Sequence, residues 1–529
     1  MSRQIGLLIA PILFLSGTNA SAQVADNWDI VFPTSESGPA QEHFLEGVTY
    51  MHLHMFEDAE EHFREAQKLS PDFVMAYWGE ALNQHRTIWN IHNYDVALEI
   101  LERLGDTPEA RAAKAPTARE RAYLTAVELL FGSGTQRQRE VAYSAAMFAL
   151  SERYSEDIES AAWFALSLMR INAPGKTRQQ TRSLMAGTSL SVLARNPRHP
   201  GANRYLIQST DDPENTDLGI VAVNNLKMVE TDAAEALHIP SHFHIQHGMW
   251  IEAAEANMRA FDSSMRWVDE KGWSLEDLNS HNYGHLLQFA NYAYLQAGLL
   301  SKASEIRERV KSDYVASGFA AAIGVPFADV HARWVLDLEQ WQEAESLADL
   351  AREYSINDAG VWLAIGIASV HMDDFDLAAE AIERLDSQSA NPSAQSTVAA
   401  RQVDALLHLA LGHTEIALGI LEDAVEVNWE QPGLLIGSPP RPVKPVLELY
   451  GEALLEAGQA EQALANFQRG LTRYRERTNL LLGAARAAEQ LNRRDLAEDY
   501  YTQLAEAWSA AEDGHPFVGE VGKGLSSRD

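Results

Sequence analysis

The chain has 529 residues and no cysteine, which excludes disulfides, thiolate metal sites and cysteine nucleophiles. Its formal net charge of −33 argues against partners with phosphate backbones and against anionic lipid surfaces. With 46% hydrophobic and 22% charged residues, the composition is that of a folded protein, and the length predicts several domains or a repeat array.

Residues 1–22 have the pattern of a secretory signal peptide. Arg3 is the only charged residue of this segment, an apolar run extends from Ile5 to about Leu15, and Ala-Ser-Ala at 20–22 fits a cleavage site. An uncleaved anchor is the alternative, although the run is shorter than the roughly 20 residues that span a bilayer. We expect cleavage near Ala22 and a soluble periplasmic or secreted protein without membrane insertion.

A 34-residue unit beginning at Ala40 has small, aromatic and proline residues at the positions of a tetratricopeptide repeat. The matching residues are Gly47, Tyr50, Ala59, Phe63, Ala66 and Pro71. Small residues let two helices cross closely, aromatic rings fill the space between neighbours, and proline stops the second helix. Weaker units follow in the same phase, as in the spacing of Ala463 and Ala497.

These repeats predict an all-α fold, a tetratricopeptide-like superhelix of stacked helix pairs without strands; an irregular helical bundle is the alternative. Proline-rich or polar stretches at 105–116, 173–217 and 430–445 interrupt the pattern. The predicted organisation is a signal peptide at 1–22, a lead-in at 23–39, a histidine-rich superhelix at 40–305, further repeats at 306–430, a C-terminal repeat pair at 444–510 and a frayed tail at 511–529.

The 18 histidines concentrate at 43–92 and 238–285. His281 and His285 are four residues apart in a run that looks helical, so both rings could lie on one face and share a metal. His238 and His242 have the same spacing, but Pro240 indicates that a helix starts between them. We name His238, His242 and His285 as candidate ligands of a divalent metal; hydrogen bonds to helix ends or carboxylates are the alternative.

Four motifs, AYWGEA at 76–81, HPGAxxYLIxxxDDP at 199–213, ALHxPSH at 236–242 and YAYLQxG at 292–298, resemble those of a family of exported bacterial tetratricopeptide proteins. The resemblance covers residues 40–305 and implies that its motif residues belong to one unit. Members of the family often carry histidine at three positions that hold Arg204, Gln208 and Glu235 in this chain.

The first helices of stacked pairs are expected to line the concave face of the array. On that face we place His52, His242 and His285, followed by Glu80 and His85. The loop of Asp211 and Asp212 would close one side. The candidate ligand-binding residues are His52, Trp78, Glu80, His85, Trp89, His199, Asp211 and Asp212, with core packing as the alternative for the tryptophans.

Three functions fit these features. The first is an interaction or assembly module that holds a protein or peptide in the concave groove. The second is a protein, or an enzyme, that binds a metal or small ligand through the histidine and carboxylate cluster between residues 52 and 285. The third is a structural scaffold without a pocket. No nucleophile–base motif or phosphate-binding loop is present, so no catalytic residue is assigned, and nucleic acid is not an expected partner.

Overall fold

A computed structural model describes residues 27–387, 394–429 and 439–526. Helices form almost all the regular structure of these residues, and most of them pack against the next along the chain. The predicted all-α superhelix of helix pairs is therefore confirmed. The predicted signal peptide at 1–22 and residues 430–438 of the predicted junction at 430–445 lie outside the described residues.

In the N-terminal half, several helices begin at a proline or at a threonine capping box, which satisfy or replace the first backbone donors. The helices are α1 (Pro39–His52), α2 (Phe56–Leu69), α3 (Val74–Leu82), α4 (Tyr94–Leu104), α5 (Pro108–Lys114), α6 (Ala118–Leu130), α7 (Gln136–Arg153), α8 (Ile158–Ser167), α9 (Arg178–Leu193), α10 (Pro200–Ser209), α11 (Ile220–Leu226), α12 (Ala234–His238) and α13 (Pro240–Gln246).

The C-terminal half continues the array with longer and more regular helices. They are α14 (Trp250–Lys271), α15 (His285–Gln296), α16 (Leu300–Ala316), α17 (Ala321–Asp337), α18 (Ala344–Glu353), α19 (Ala359–His371), α20 (Phe375–Ser387), α21 (Ala394–Ala410), α22 (Thr414–Trp429), α23 (Val446–Glu456), α24 (Ala460–Arg473), α25 (Thr478–Gln490), α26 (Arg494–Ala507) and α27 (Val518–Ser526). Among the described residues, no helix is both long and apolar enough to cross a membrane.

An aromatic ring clamped between two glycines joins neighbouring helix pairs. Gly47 on α1 and Gly79 on α3 both lie against the ring of Phe63 on α2, and a Cβ at either position would approach that ring more closely than real side chains do. The same arrangement recurs in the C-terminal repeats with Gly451, Phe467 and Gly483. The small positions of the sequence repeat are therefore required by the close crossing of helices.

Three sequence expectations need correction. His85–Arg86 (β1) and Ile91–His92 (β2) form a short antiparallel pair, so a strand exists and His85 does not lie in a helix. The stretch 173–217 holds α9 and α10, which pack together. In the region expected to be a frayed tail, α27 packs onto α26, and Phe517 and Val521 are buried because their apolar side chains cover the end of the array.

The C-terminal repeats fold back onto the middle of the chain. The backbone N–H of Thr478 donates to Oε1 of Gln296 at 3.0 Å. The guanidinium of Arg477 is fully buried and lies 2.6 Å from carboxylate oxygens of both Asp337 and Glu448. These side chains link α15, α17, α23 and α25 in the interior, and the concave groove expected from the sequence stays a prediction.

The Phe63 clamp predicts a stability change at Gly79. Gly79→Ala should lower the free energy of unfolding by about 1–3 kcal/mol, because its methyl group overpacks the Phe63 ring. Gly187→Ala is the matched control: no atom lies within 4 Å of its Cβ position on α9, so this change should raise stability by about 0.5–1 kcal/mol. Urea unfolding followed by circular dichroism measures both, and equal effects of the two changes would contradict the clamp.

Candidate metal centre

Three histidines from separate helices converge on one point. His238 is the last residue of α12, Pro240 is the first of α13, and His242 follows within the same turn. Proline is tolerated at the first turn of a helix but not in its interior, so α13 starts there as the sequence predicted. His285 is the first residue of α15, after a π-helical turn at Ser280–Gly284.

The spacing of the three rings matches that of metal ligands. The Nε2 atom of His238 lies 3.1 Å from the Nε2 atoms of both His242 and His285. One nitrogen from each ring lies within 4.8 Å of the other two. Two nitrogens bound tetrahedrally to zinc at 2.0–2.1 Å are about 3.3 Å apart. Phe289 packs against all three rings and forms an apolar floor.

Asn257 determines which nitrogen of His238 carries the proton. Its Nδ2 donates to the carbonyl oxygen of Ala253 at 2.7 Å, which leaves its Oδ1 2.7 Å from Nδ1 of His238. An amide oxygen only accepts hydrogen bonds, so Nδ1 of His238 must be the donor. In a neutral His238, Nε2 therefore carries a lone pair directed at the other two rings.

Asp211 has the same effect on His242. Its Oδ2 lies 2.8 Å from Nδ1 of His242, and its Oδ1 accepts a hydrogen bond from Gln246 at 3.3 Å. A carboxylate can only accept, so Nδ1 of His242 is the donor and Nε2 of a neutral His242 also carries a lone pair. Asp211 and His242 are both buried, so water does not compete for these contacts.

In the neutral rings, two lone pairs face each other at 3.1 Å, and they repel unless a cation, either a proton or a metal ion, lies near them. Burial, assisted by His242, lowers the pKa of His238 well below its ordinary value, which disfavours a proton on that ring. Burial and the neighbouring His238 lower the pKa of His285 in the same way. Neutral imidazoles whose other nitrogen is held by a carboxylate or an amide are the usual arrangement around a bound metal.

A second cluster lies on α1, α8 and α10. Nε2 of His52 lies 2.9 Å from Glu159, and its Nδ1 lies 2.8 Å from the hydroxyl of Tyr205. Nδ1 of His199 accepts the backbone N–H of Ala202, and its Nε2 lies 3.1 Å from Oε1 of Glu159 without hydrogen-bond geometry. The cluster links three helices, its atoms are also close enough to hold a metal ion, and a ligand-binding role for His52 and His199 stays a prediction.

Glu80 and Trp78 on α3 are both fully buried. Nε of Arg64 donates to Glu80 at 2.8 Å, and Arg103 donates to its other oxygen. The ring of Trp78 packs among aromatic side chains of the N-terminal core. The contacts of Trp78 match the core-packing alternative, and Glu80 forms ion pairs with two arginines. A ligand-binding role for either residue stays a prediction.

The remaining predicted residues lie outside the three-histidine centre. Asp212 forms an ion pair with Arg182 at 3.1 Å, and Nδ1 of His85 lies 2.9 Å from Nδ1 of His92 across the hairpin. Trp89 stacks on His281 with ring centroids 4.2 Å apart. His281 therefore does not act as a second ligand on one regular helix face, because the π-helical turn before α15 changes the spacing.

The sequence analysis did not identify Asn257 and Glu159, which contact ring nitrogens in the two histidine clusters. Asn257 contacts Nδ1 of His238, and Glu159 contacts His52 and His199. Asn257 and Glu159 are both buried polar side chains in alanine-containing helix segments. Such residues are rarely buried without a partner, and that was the signal available.

Two of the three departures from the family pattern pair with each other. Arg204 Nη2 lies 2.6 Å from Glu235 Oε2, and both side chains are buried. At the third position, neither polar atom of the Gln208 side chain has a hydrogen-bond partner among the described residues. The buried Arg204–Glu235 ion pair thus occupies two of the three positions at which the sequence resemblance implied histidine.

A family model described as "Tetratricopeptide repeat" matches residues 40–73. The chain contains a tetratricopeptide repeat. It comprises α1 and α2, and the unit that the sequence pattern placed at Ala40 is confirmed.

Solved structures of helical arrays are similar to this chain only at a general level. A chain of the APC/C hetero-tetramer Cut9–Hcn1 is 12% identical, with 92% of this chain and 96% of that chain covered and a TM-score of 0.33. A chain of Naa15/Naa10 bound to HypK-THB is also 12% identical, with 92% and 90% covered and a TM-score of 0.29. No curated protein sequence matches the chain.

The His52–Glu159 contact predicts acid sensitivity. Burial lowers the pKa of His52 from 6.5 to about 4, so the unfolded chain takes up this proton first and stability falls as pH drops from 6.5 to about 4. Burial opposes ionisation of Glu159, but His199 and His52 overcome it and lower its pKa from 4.5 to about 2, which extends the loss below pH 4.5.

The His52 contribution should amount to about 3 kcal/mol between pH 7 and pH 4. His52→Gln keeps a hydrogen-bonding side chain that does not titrate. This variant should be less stable at pH 7 but lose less stability over the same range. Urea unfolding at a series of pH values measures the difference, and parallel curves would rule out His52 as the titrating group.

Proposed function

We propose that this chain is a tetratricopeptide-type solenoid that binds a divalent transition metal ion, with zinc as the best match, through His238, His242 and His285. The observation that carries this proposal is the pair of Nε2 lone pairs of His238 and His242, held face to face by Asn257 and Asp211.

The chemistry of the donors favours zinc. Imidazole nitrogens suit zinc better than calcium or magnesium, which prefer oxygen ligands. Three protein ligands leave one tetrahedral position for water or another ligand, as in catalytic rather than structural zinc sites. His285 is the only one of the three ligands that is partly exposed, so its side is the route by which an ion or a ligand would enter.

The metal proposal predicts about one metal ion per chain after zinc reconstitution and removal of excess ion, measured by elemental analysis. His242→Ala and His285→Ala should lose this metal. Asp211→Asn should weaken zinc binding about 10–100-fold, because an amide NH₂ facing Nδ1 of His242 moves the ring proton to Nε2.

His371→Ala is the matched control, since the ring of His371 on α19 stacks on Trp341 and belongs to none of the groups of described residues that could hold a metal ion. It should keep the metal. Circular dichroism shows whether each variant is folded. Wild-type protein without metal, or equal metal content in all folded variants, would exclude the three-histidine centre.

A protein or peptide partner is the second candidate, favoured by the tetratricopeptide repeat at 40–73. Stacked helix pairs present extended concave surfaces that suit such partners. Because Arg477 and its partners fill the interior of the C-terminal half, we place the groove of this candidate on the helices before α15.

Export to the periplasm is part of the proposal and rests on the pattern of residues 1–22. In a Gram-negative host, the full-length chain should appear in the periplasmic fraction with Gln23 as its first residue. Arg3 and the apolar run should be absent from it. Amino-terminal sequencing of the fractionated protein measures this, and an intact Met1 in the cytoplasmic fraction would contradict export.

A further inference from the structure

A histidine–glutamate cluster on the first helix pair is separate from the three-histidine centre. His43 and Glu46 are three residues apart on α1, so their side chains lie on one face of that helix. His62 extends towards them from α2, which packs against α1. We call these three residues the surface cluster. Between 26% and 55% of each side chain is exposed, so an ion can reach the cluster from solvent.

Three atoms of the surface cluster form a triangle of the size that a transition metal ion requires. Nδ1 of His43 lies 3.0 Å from Nδ1 of His62. Oε2 of Glu46 lies 2.8 Å from Nδ1 of His62 and 3.4 Å from Nδ1 of His43. A point about 1 Å out of the plane of these atoms is about 2.1 Å from each of them, and zinc binds imidazole nitrogen and carboxylate oxygen at about 2.0–2.2 Å.

Hydrogen bonds within the cluster do not satisfy this triangle as well as a metal ion would. A carboxylate oxygen only accepts. With protons on both Nδ1 atoms, two donors face each other at 3.0 Å, and with a proton on one of them, a single N–H must serve two acceptors. A neutral imidazole can instead carry its proton on Nε2. The three lone pairs that then face one another are those that a cation binds at once.

The helix pair that carries the surface cluster has a fixed crossing. Glu46 directly precedes Gly47 on α1, and Gly47 lies against the ring of Phe63. His62 directly precedes Phe63 on α2, and its ring stacks on that of Tyr50 with centroids 5.3 Å apart. The ligand side chains are therefore held near one another before an ion arrives, which reduces the entropic cost of binding.

The charges around His62 suit a cation. Burial lowers the pKa of His62 below its ordinary value, and His43 acts in the same direction. Glu46, Asp58 and Glu61 act to raise this pKa but do not overcome the burial. The ring is therefore neutral at pH 7 and has a lone pair for a metal, while the three carboxylates favour positive charge beside it.

We infer that His43, Glu46 and His62 bind a second divalent transition metal ion at the surface of the first helix pair. Two imidazoles and one carboxylate are a ligand set of catalytic zinc sites, and they leave a fourth position for water or another ligand. Calcium and magnesium prefer oxygen ligands and fit this set less well. The site shares no residue with the three-histidine centre. Because its ligands are exposed, we expect a Kd of about 1–100 µM and loss of the ion when excess metal is removed.

Isothermal titration calorimetry with zinc chloride tests this inference on the full-length His285→Ala chain, whose three-histidine centre lacks one ligand. Magnesium at about 5 mM in the buffer occupies carboxylates that bind any divalent cation. One zinc ion per chain should bind in the expected range of Kd. Adding Glu46→Gln or His62→Ala to this chain should weaken zinc binding about tenfold or more, because each change removes one of three ligands.

Glu42→Gln is the matched control, because it removes the same charge from α1 at a residue outside the groups of described residues that could hold a metal ion. It should leave the Kd for zinc unchanged. Circular dichroism shows whether each variant is folded. Absence of zinc binding to the folded His285→Ala chain would mean that the cluster is only hydrogen-bonded. Equal Kd values for Glu46→Gln, His62→Ala and Glu42→Gln would place the zinc elsewhere on the acidic surface. Either result overturns the inference.

Titration of the otherwise wild-type chain separates the two metal sites and replaces the first experiment if His285→Ala does not fold. In that chain, His62→Ala should abolish the weaker zinc-binding event and keep the ion that survives removal of excess metal. If the three-histidine centre binds no metal, the weaker event should still be present in the wild type and absent from His62→Ala. A weaker event of equal strength in both chains would overturn the inference whatever the three-histidine centre does.

Discussion

A helix pair in this fold cannot bury its apolar face alone, so every pair depends on the next. The ring of Phe63 between Gly47 and Gly79 is the local form of this dependence, and Phe467 repeats it in the C-terminal repeats. Stacking leaves two ends that need cover. Phe32 packs on α1, α3 and α6 at one end, and α27 packs at the other, so the chain folds without cysteine staples.

Folding the C-terminal repeats back onto α15 and α17 buries charged groups, and each of them needs a partner. Arg477 finds two carboxylates, and Glu159 lies between the imidazoles of His52 and His199. The three-histidine centre differs, because Asn257 and Asp211 take the Nδ1 protons of His238 and His242, so the Nε2 atoms of these neutral rings face each other. The metal proposal rests on this difference, since a bound cation would balance the two lone pairs.

The repeat beginning at Ala40 and the helix start at Pro240 could be predicted from the sequence, because each depends on residues within one or two helices. Residue type and spacing also singled out His238, His242 and His285. The meeting of their Nε2 atoms could not be predicted, because it depends on contacts between residues that are distant in the chain. His242 lies 31 residues from Asp211, and His285 lies 47 residues from His238. The same limit hid Glu159, which is 107 residues from His52. Local spacing predicted the helix pair of the clearest repeat, whereas α27 and the β1–β2 pair were not expected from it. Only the stacked helices decided which donors meet which acceptors, because hydrogen-bond partners depend on the relative positions of side chains that are distant in sequence.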